Sequence, residues 1–409
     1  MAERRLTVRP GALAARVAVQ PALWIGILYL AARAATTAFL ILAGSLSTPS
    51  SRFGDAPALG DLVVGWDARW YWIIAVVGYP TTLPLTDDGL VAENAWAFLP
   101  VYPFLAQTVS LPFGHWAAGA LLVSLVAGYA ACYVLYRLLR TRLSVIAATW
   151  AVVFFACGPL AALFQVGYAE TLNLLWLFLA LWALIRRRWG WLYVLIPLMG
   201  FTRPGILAFS LMLALYGIWR WVQRKRDPLP VREIIHIIAT GLLAAAVGFA
   251  WQIIAAVVTG RSDAYLATEL AWRRIWMPGE ADFVPLHGFL EAVEFWFGRM
   301  WQVDPLVGYV LLVALVAAIA ALLLWAKPVR ALGVEIRLWS VGYIVYLLLV
   351  FFPQSSIFRL LVPLSPLWGA FAVPRSRTWR WSVLAACLVG QWWWIYNMYG
   401  LGNMTWQVP

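Results

Sequence analysis

The stretch GWDARWYWIIAVVGYP, residues 65–80, places an acid, Asp67, two positions from a base, Arg69, among five aromatic rings. A carboxylate backed by such rings can take the proton of a hydroxyl group as a general base. The same position suits a helix cap, since Asp favours helix starts, and the pattern leaves both readings open. If 66–77 is helical, Asp67, Tyr71 and Ile74 share one face, while Arg69 and Trp72 point elsewhere. Glu170 follows Gln165 and Tyr168 in FQVGYAETLNLLW. It could bind sugar hydroxyls or complement a helix dipole. Arg203, in GFTRPGI, lies at a junction where Pro204 stops one helix and opens the next. It is either an anion receptor or a snorkelling side chain. Arg359, in PQSSIFRLLVPLSPL, reads as a phosphate ligand, because a guanidinium matches phosphate geometry. Arg33, midway along the first apolar run, is expected to pair internally with an acid or with backbone carbonyls.

Several chemistries leave no trace. The chain has no Gly-rich phosphate loop, no Cys/His metal spacing, no GxSxG and no Asp-x-Asp. No metal and no cofactor is expected. Asp87 and Asp88, in TDDG, suit a turn. Of the three histidines only His287 sits in a long loop, where it is either solvated or a substrate contact. Cys132, Cys157 and Cys387 lie inside apolar runs and read as packed thiols.

The elements that must position these residues follow from composition. The 409 residues are 64% hydrophobic and only 12% charged, with a mean hydropathy of +0.80. That is an all-α polytopic membrane protein. Apolar runs predict about eleven transmembrane helices, near 21–44, 116–136, 144–160, 168–185, 189–202, 204–221, 233–258, 306–326, 336–353, 360–373 and 380–399. The net charge of +12 does not signal nucleic acid. Most of the 30 basic residues cluster in alternate loops: Arg4, Arg5, Arg9 and Arg16; Arg137 to Arg142; Arg186 to Arg188; Arg220 to Arg232; Lys327 to Arg337; and Arg375 to Arg380. The positive-inside rule then puts the N-terminus in the cytoplasm and the C-terminus outside. The first run has no small-residue cleavage site and reads as a retained helix. The expected organisation is one membrane domain, 1–409, with a first outer loop at 45–115 and a second at 260–305. The second holds Trp272, Arg273 and His287. FLPVYPFL, broken by Pro100 and Pro103, reads as an interfacial or re-entrant helix pair.

The segments WDARWYWIIAVVGYP, AFLPVYPFL, FQVGYAETLNLLWLFLALW, FTRPG and FRLLVPLSPL resemble, in order over about 20–375, the signature segments of the PIG-V family and its bacterial relatives. That family makes the second mannosyl transfer of GPI-anchor assembly and belongs to the GT-C glycosyltransferases. The resemblance implies a polyprenyl-phosphate mannose donor and a glycolipid or glycan acceptor in the bacterial plasma membrane. It implies Asp67 as general base, Arg359 and Arg203 as phosphate contacts, and no metal, cofactor or obligate protein partner. Substrate contacts would come from Trp66, Arg69, Tyr71, Gln165, Tyr168, Glu170, Trp272, Arg273 and His287. Pro204 departs from the family's small polar residue, so the acceptor is the least defined part. Alternatives are a GT-C enzyme using polyprenyl-phosphate arabinose or glucose, and a lipid transporter or flippase. A transporter would show an internal repeat, and the sequence has none.

Overall fold

In the computed structural model, residues 12–274, 276–277, 282–404 and 406–409 are described. Arg4, Arg5 and Arg9 lie outside them. Helix α1 (Ala12–Val19) stops before Pro21, which opens α2 (Pro21–Ser45). The first long loop holds α3 (Leu59–Val63), α4 (Asp67–Val77) and α5 (Val101–Ser110). Then follow α6 (Trp116–Leu139), α7 (Val145–Ala156), α8 (Glu170–Ile185), α9 (Trp189–Gly200), α10 (Ile206–Gln223) and α11 (Val231–Thr259). The second long loop carries α12 (Ala264–Arg274) and α13 (His287–Val293). The last stretch runs through α14 (Pro305–Trp325), α15 (Lys327–Arg330), α16 (Val334–Val350), α17 (Ile357–Leu360), α18 (Trp368–Ala372) and α19 (Arg377–Ile395).

Among the described residues, α2, α6, α10, α11 and α14 are long and apolar enough to cross a membrane, and α7, α8 and α9 are shorter apolar helices. Two expectations need correcting. The span expected at 360–373 is not one helix. It divides into α17, a 3-10 stretch over Val362–Leu367, and α18. Pro363 and Pro366 each lack the amide that an α-helix needs there. FLPVYPFL, in contrast, is not a helix pair: Pro100 caps a single helix, α5, which takes in the rest of the segment. Pro103 falls in the first turn of α5, where a missing amide costs nothing.

In the core α6 packs against α5, α7 and α8, and small residues let it approach them. Gly119 of α6 is one: a Cβ there would lie 2.2 Å from the Ala106 carbonyl oxygen of α5. Ser124 Oγ donates to the Val166 carbonyl at 2.7 Å, and Tyr102 donates to the Ala120 carbonyl at 3.1 Å. These buried bonds pin the start of α8 and the first loop to α6. Arg33 is 4% exposed and donates to the carbonyls of Ala156 and Ala161. Its structural role is therefore the carbonyl version of the two expected. It satisfies the otherwise orphaned end of α7, where a cation also complements the dipole.

Helix α8 separates two charged regions. It begins at Glu170 and is capped by Arg186, about 24 Å apart at 1.5 Å per residue. At the Arg186 end, the fully buried Arg220 bridges Glu233 at 3.1 Å and Asp227 at 3.2 Å, and Arg187 joins the same acids. Two of the arginine-bearing loops, at 186–188 and 220–232, thus meet far from Glu170.

Candidate active site

At the other end of α8, four charged side chains converge. Arg203 Nη1 stands 2.5 Å from Glu170 Oε1. Arg359 Nε stands 3.3 Å from the same oxygen, and its Nη1 donates to Asp67 Oδ2 at 2.5 Å. The signs alternate: Asp67, Arg359, Glu170, Arg203. All are largely shielded, with side-chain exposures of 19%, 11%, 3% and 12%. Burying charges this deeply costs several kcal/mol per ion unless each is partnered. The alternation supplies the partners.

The backbone around each residue explains its aim. Trp66 precedes α4 with φ +54°, a conformation that costs a non-glycine residue about 1–3 kcal/mol. Its ring is held from three sides. Nε1 donates to the Met398 carbonyl at 2.9 Å, Arg52 stacks at 4.7 Å, and Phe53 meets it edge-on. Gly402 comes close to Trp66 from the C-terminal segment. This clamp turns Asp67 into the first residue of α4 with its carboxylate on Arg359. Asp67 does lie in the first turn of a helix, as the helix-start reading expected, but Trp66 occupies the cap position and no side chain caps α4. The Asp67 amide donates instead to the Tyr168 hydroxyl at 3.3 Å. The Tyr168 ring lies under the Arg359 guanidinium at 5.3 Å. Glu170 opens α8, so its carboxylate also faces a helix N-terminus. Arg203 sits in the break between α9 and α10. Gly205 allows that break with φ +122°, which side-chain-bearing residues rarely adopt.

Of the residues singled out from sequence, Asp67, Tyr71, Tyr168, Glu170, Arg203 and Arg359 come together. Tyr71 is buried, edge-on to Phe98 and Tyr102, and feels all four charges. Trp66 backs the cluster. Trp272 lies nearby on α12, edge-on to Trp70 at 5.7 Å and Phe98 at 5.9 Å, with its indole nitrogen buried and without a partner. Arg69 is exposed on the other side of α4, as an ideal helix requires. Gln165 turns toward α2, donating to Thr37 at 2.7 Å. Arg273 pairs with Glu291 and stacks on Phe352 at 5.2 Å, and His287 Nδ1 is 3.0 Å from Glu291. Those three form a cluster of their own within the second loop. Among the described residues, no three His, Cys, Asp or Glu side chains converge as metal ligands would.

One acid escaped the sequence reading. Glu269 of α12 lies within the influence of Arg203, with Tyr265 beside it on the same helix and Tyr346 of α16 nearby. Its signal was a lone acid in YLATELAW, a mostly apolar turn of a loop that no motif marked.

Two voids adjoin the charges. A small one of about 20 Å³, enough for a water, lies among Glu170, Arg203, Tyr343 and Arg359. A larger one of about 430 Å³ begins at Glu170 and Thr171 and runs between α7, α8, α18 and α19. Phe155, Leu174, Leu361, Trp368, Phe371 and Trp393 give it apolar walls. Its polar end carries Thr171 Oγ1 and Glu170 Oε2, both buried without a hydrogen-bond partner.

No known family model matches the chain, and no curated protein matches it. Among solved structures the chain is similar to ArnT from Cupriavidus metallidurans bound to undecaprenyl phosphate. The identity is 14% and the TM-score 0.48, over 87% of this chain and 62% of that one. The chain therefore spans less than two thirds of that protein's length.

Proposed function

We propose that the protein is an inverting membrane glycosyltransferase of GT-C type, which moves a sugar from a polyprenyl-phosphate donor to an envelope glycolipid. The observation that carries the reading is the alternating cluster of Asp67, Arg359, Glu170 and Arg203, of which Glu170 also lines an apolar cavity. A ligand fitting both has an apolar tail and an anionic, polar head. The cavity would take part of the tail, and the guanidiniums the phosphate. The donor sugar we assign is mannose, on the resemblance of the WDARWYWIIAVVGYP and companion segments. The acceptor class is a phosphatidylinositol mannoside or lipomannan-type lipid. The setting is the outer face of a bacterial plasma membrane, with the N-terminus cytoplasmic.

The chemistry follows from the pairing. Arg359 holds Asp67. An arriving phosphodiester competes for that guanidinium, and Asp67 is released toward the acceptor. Asp67 then takes the acceptor hydroxyl proton while the oxygen attacks the anomeric carbon. The bond from that carbon to the phosphate oxygen breaks on the opposite face, and its electron pair leaves on the phosphate. Arg359 and Arg203 stabilise the charge that develops there. Glu170 keeps both arginines in register, and Tyr71 and Tyr168 offer hydroxyls and ring faces to the sugar.

The test is transfer of labelled mannose from polyprenyl-phosphate mannose to an envelope lipid extract by purified protein. Transfer that is lost in Asp67→Asn supports the reading. Full activity of that variant would remove Asp67 as the base. Lipid movement across liposomes without any transfer would favour a flippase. Transfer only from polyprenyl-phosphate arabinose or glucose would keep the enzyme class and change the sugar.

A further inference from the structure

Thr171 deepens this reading. Its side chain is fully buried, and among the described residues its Oγ1 has no hydrogen-bond partner. Buried threonines elsewhere in the helices are satisfied. Thr36, Thr149, Thr240 and Thr268 each donate to the carbonyl four residues back, at 2.6–3.0 Å. Thr171 is the second residue of α8, and the residue four back, Gly167, precedes the helix. A first-turn threonine has no helical carbonyl behind it to bond. A buried hydroxyl without a partner destabilises the fold, and a valine of the same shape would avoid that cost.

The surroundings of the hydroxyl point to a ligand. Thr171 lines the larger cavity beside Glu170. Leu174, three residues on and on the same face of α8, lines it too. The small void bordered by Arg203 and Arg359 shares Glu170, Leu174 and Val362 with that cavity. The two guanidiniums and Thr171 thus flank one carboxylate, whose Oε1 the arginines hold. No side chain caps α8, so its first amides and its dipole favour an anion at the same end.

We propose that Thr171 is a ligand of the donor's phosphate, with its hydroxyl donating to a phosphate oxygen where the head group passes into the apolar cavity. The first part of the prenyl chain then runs along Leu174. This rests on the polyprenyl-phosphate reading. A hydroxyl gives one hydrogen bond to an anionic oxygen and gains nothing from a hydrocarbon chain. Free phosphate offers the same oxygens, and the experiment separates the two sources.

The experiment measures Kd by tryptophan-fluorescence titration of the full chain in detergent, with a polyprenyl phosphate and with the matching polyprenol. The proteins are wild type, Thr171→Val and Thr171→Ser. T171V should bind the polyprenyl phosphate about tenfold or more weakly, and T171S should bind it like wild type. All three should bind the polyprenol equally. Without ligand, the Tm of T171V should be no lower than that of wild type, because the lost hydroxyl bonds nothing there. Equal affinity of wild type and T171V for the polyprenyl phosphate overturns the assignment and leaves the donor reading standing. An equal loss for the polyprenol overturns it in favour of tail packing. A clear fall in the ligand-free Tm of T171V overturns it as well, since the hydroxyl would then serve the fold. Displacement of the lipid by an equal concentration of inorganic phosphate overturns the lipid source. Wild type that binds no polyprenyl phosphate brings down the donor reading together with the ligand. Where T171V does not fold, Thr171→Ala is compared with T171S, which differs from it by the hydroxyl alone, and equal Kd values in that pair overturn the proposal.

Discussion

Arg359 donates to Asp67 across 292 residues of sequence, and the bond measures 2.5 Å. It closes the first loop onto the short helix α17, and the same guanidinium reaches Glu170 at 3.3 Å. One side chain thus joins three segments that are remote in the chain.

Arg359→Ala leaves Asp67 without its guanidinium and weakens the hold on Glu170. Removing one partner of a buried ion pair typically costs about 3–5 kcal/mol, so a large drop in Tm is expected for the detergent-purified protein. Asp67→Asn should lower Tm less, because Arg359 keeps Glu170. Equal losses in the two variants would show that Glu170 draws little from Arg359.

For activity the order reverses in kind. Asp67→Asn should reduce kcat by about 10²–10⁴-fold, the usual contribution of a general base, with donor KM nearly constant. Single-turnover transfer measures it. A change confined to donor KM would assign Asp67 to binding.

The apolar cavity should sense tail length. Leu174→Trp adds an aromatic ring at its wall. The donor KM should rise several-fold for a long polyprenyl chain and stay constant for a short-chain analogue. Equal changes for both would place the tail elsewhere.

Glu269 makes stability depend on pH with a definite sign. Its carboxyl titrates near 7 in the folded protein and near the ordinary glutamate value when unfolded. Between those values the folded state binds more protons, so stability falls as pH rises through that window. Below the window the neutral carboxyl carries no such penalty. The Tm of Glu269→Gln relative to wild type should therefore be higher at pH 8 than at pH 5. A Tm difference that does not vary with pH would contradict the assignment.

At Gly119, α5 and α6 touch backbone to backbone. Gly119→Leu should cost about 1–3 kcal/mol or more through overpacking and loosen the first loop. Limited proteolysis within 45–115 reads that loosening, and an unchanged cleavage pattern would refute it.

Much of this was legible in the sequence, for physical reasons. Apolar runs and arginine clusters report on a solvent, the bilayer, so α2, α6, α10, α11 and α14 emerged within a few residues. Prolines were the weak point. Pro363 and Pro366 broke a run that hydropathy joined, while Pro103 fell where it was harmless. Asp67, Glu170, Arg203 and Arg359 stood out because charges are rare in such a chain; the structure joins two helix starts, the break between α9 and α10, and the short α17. Gln165 lies in the connection before α8 and is drawn to Thr37 of α2 instead. Glu269 stayed hidden because its neighbours come from three separate segments.

The 292-residue gap also has a meaning in time. At the usual pace of synthesis, about 5–20 residues per second, Asp67 emerges roughly 15–60 s before Arg359. During that interval the acids at 67 and 170 are present and their shared cation is not. Over that interval Glu170 already has Arg203, while Asp67 waits for its guanidinium. The last quarter of the chain therefore acts as the clasp that lets the first loop settle.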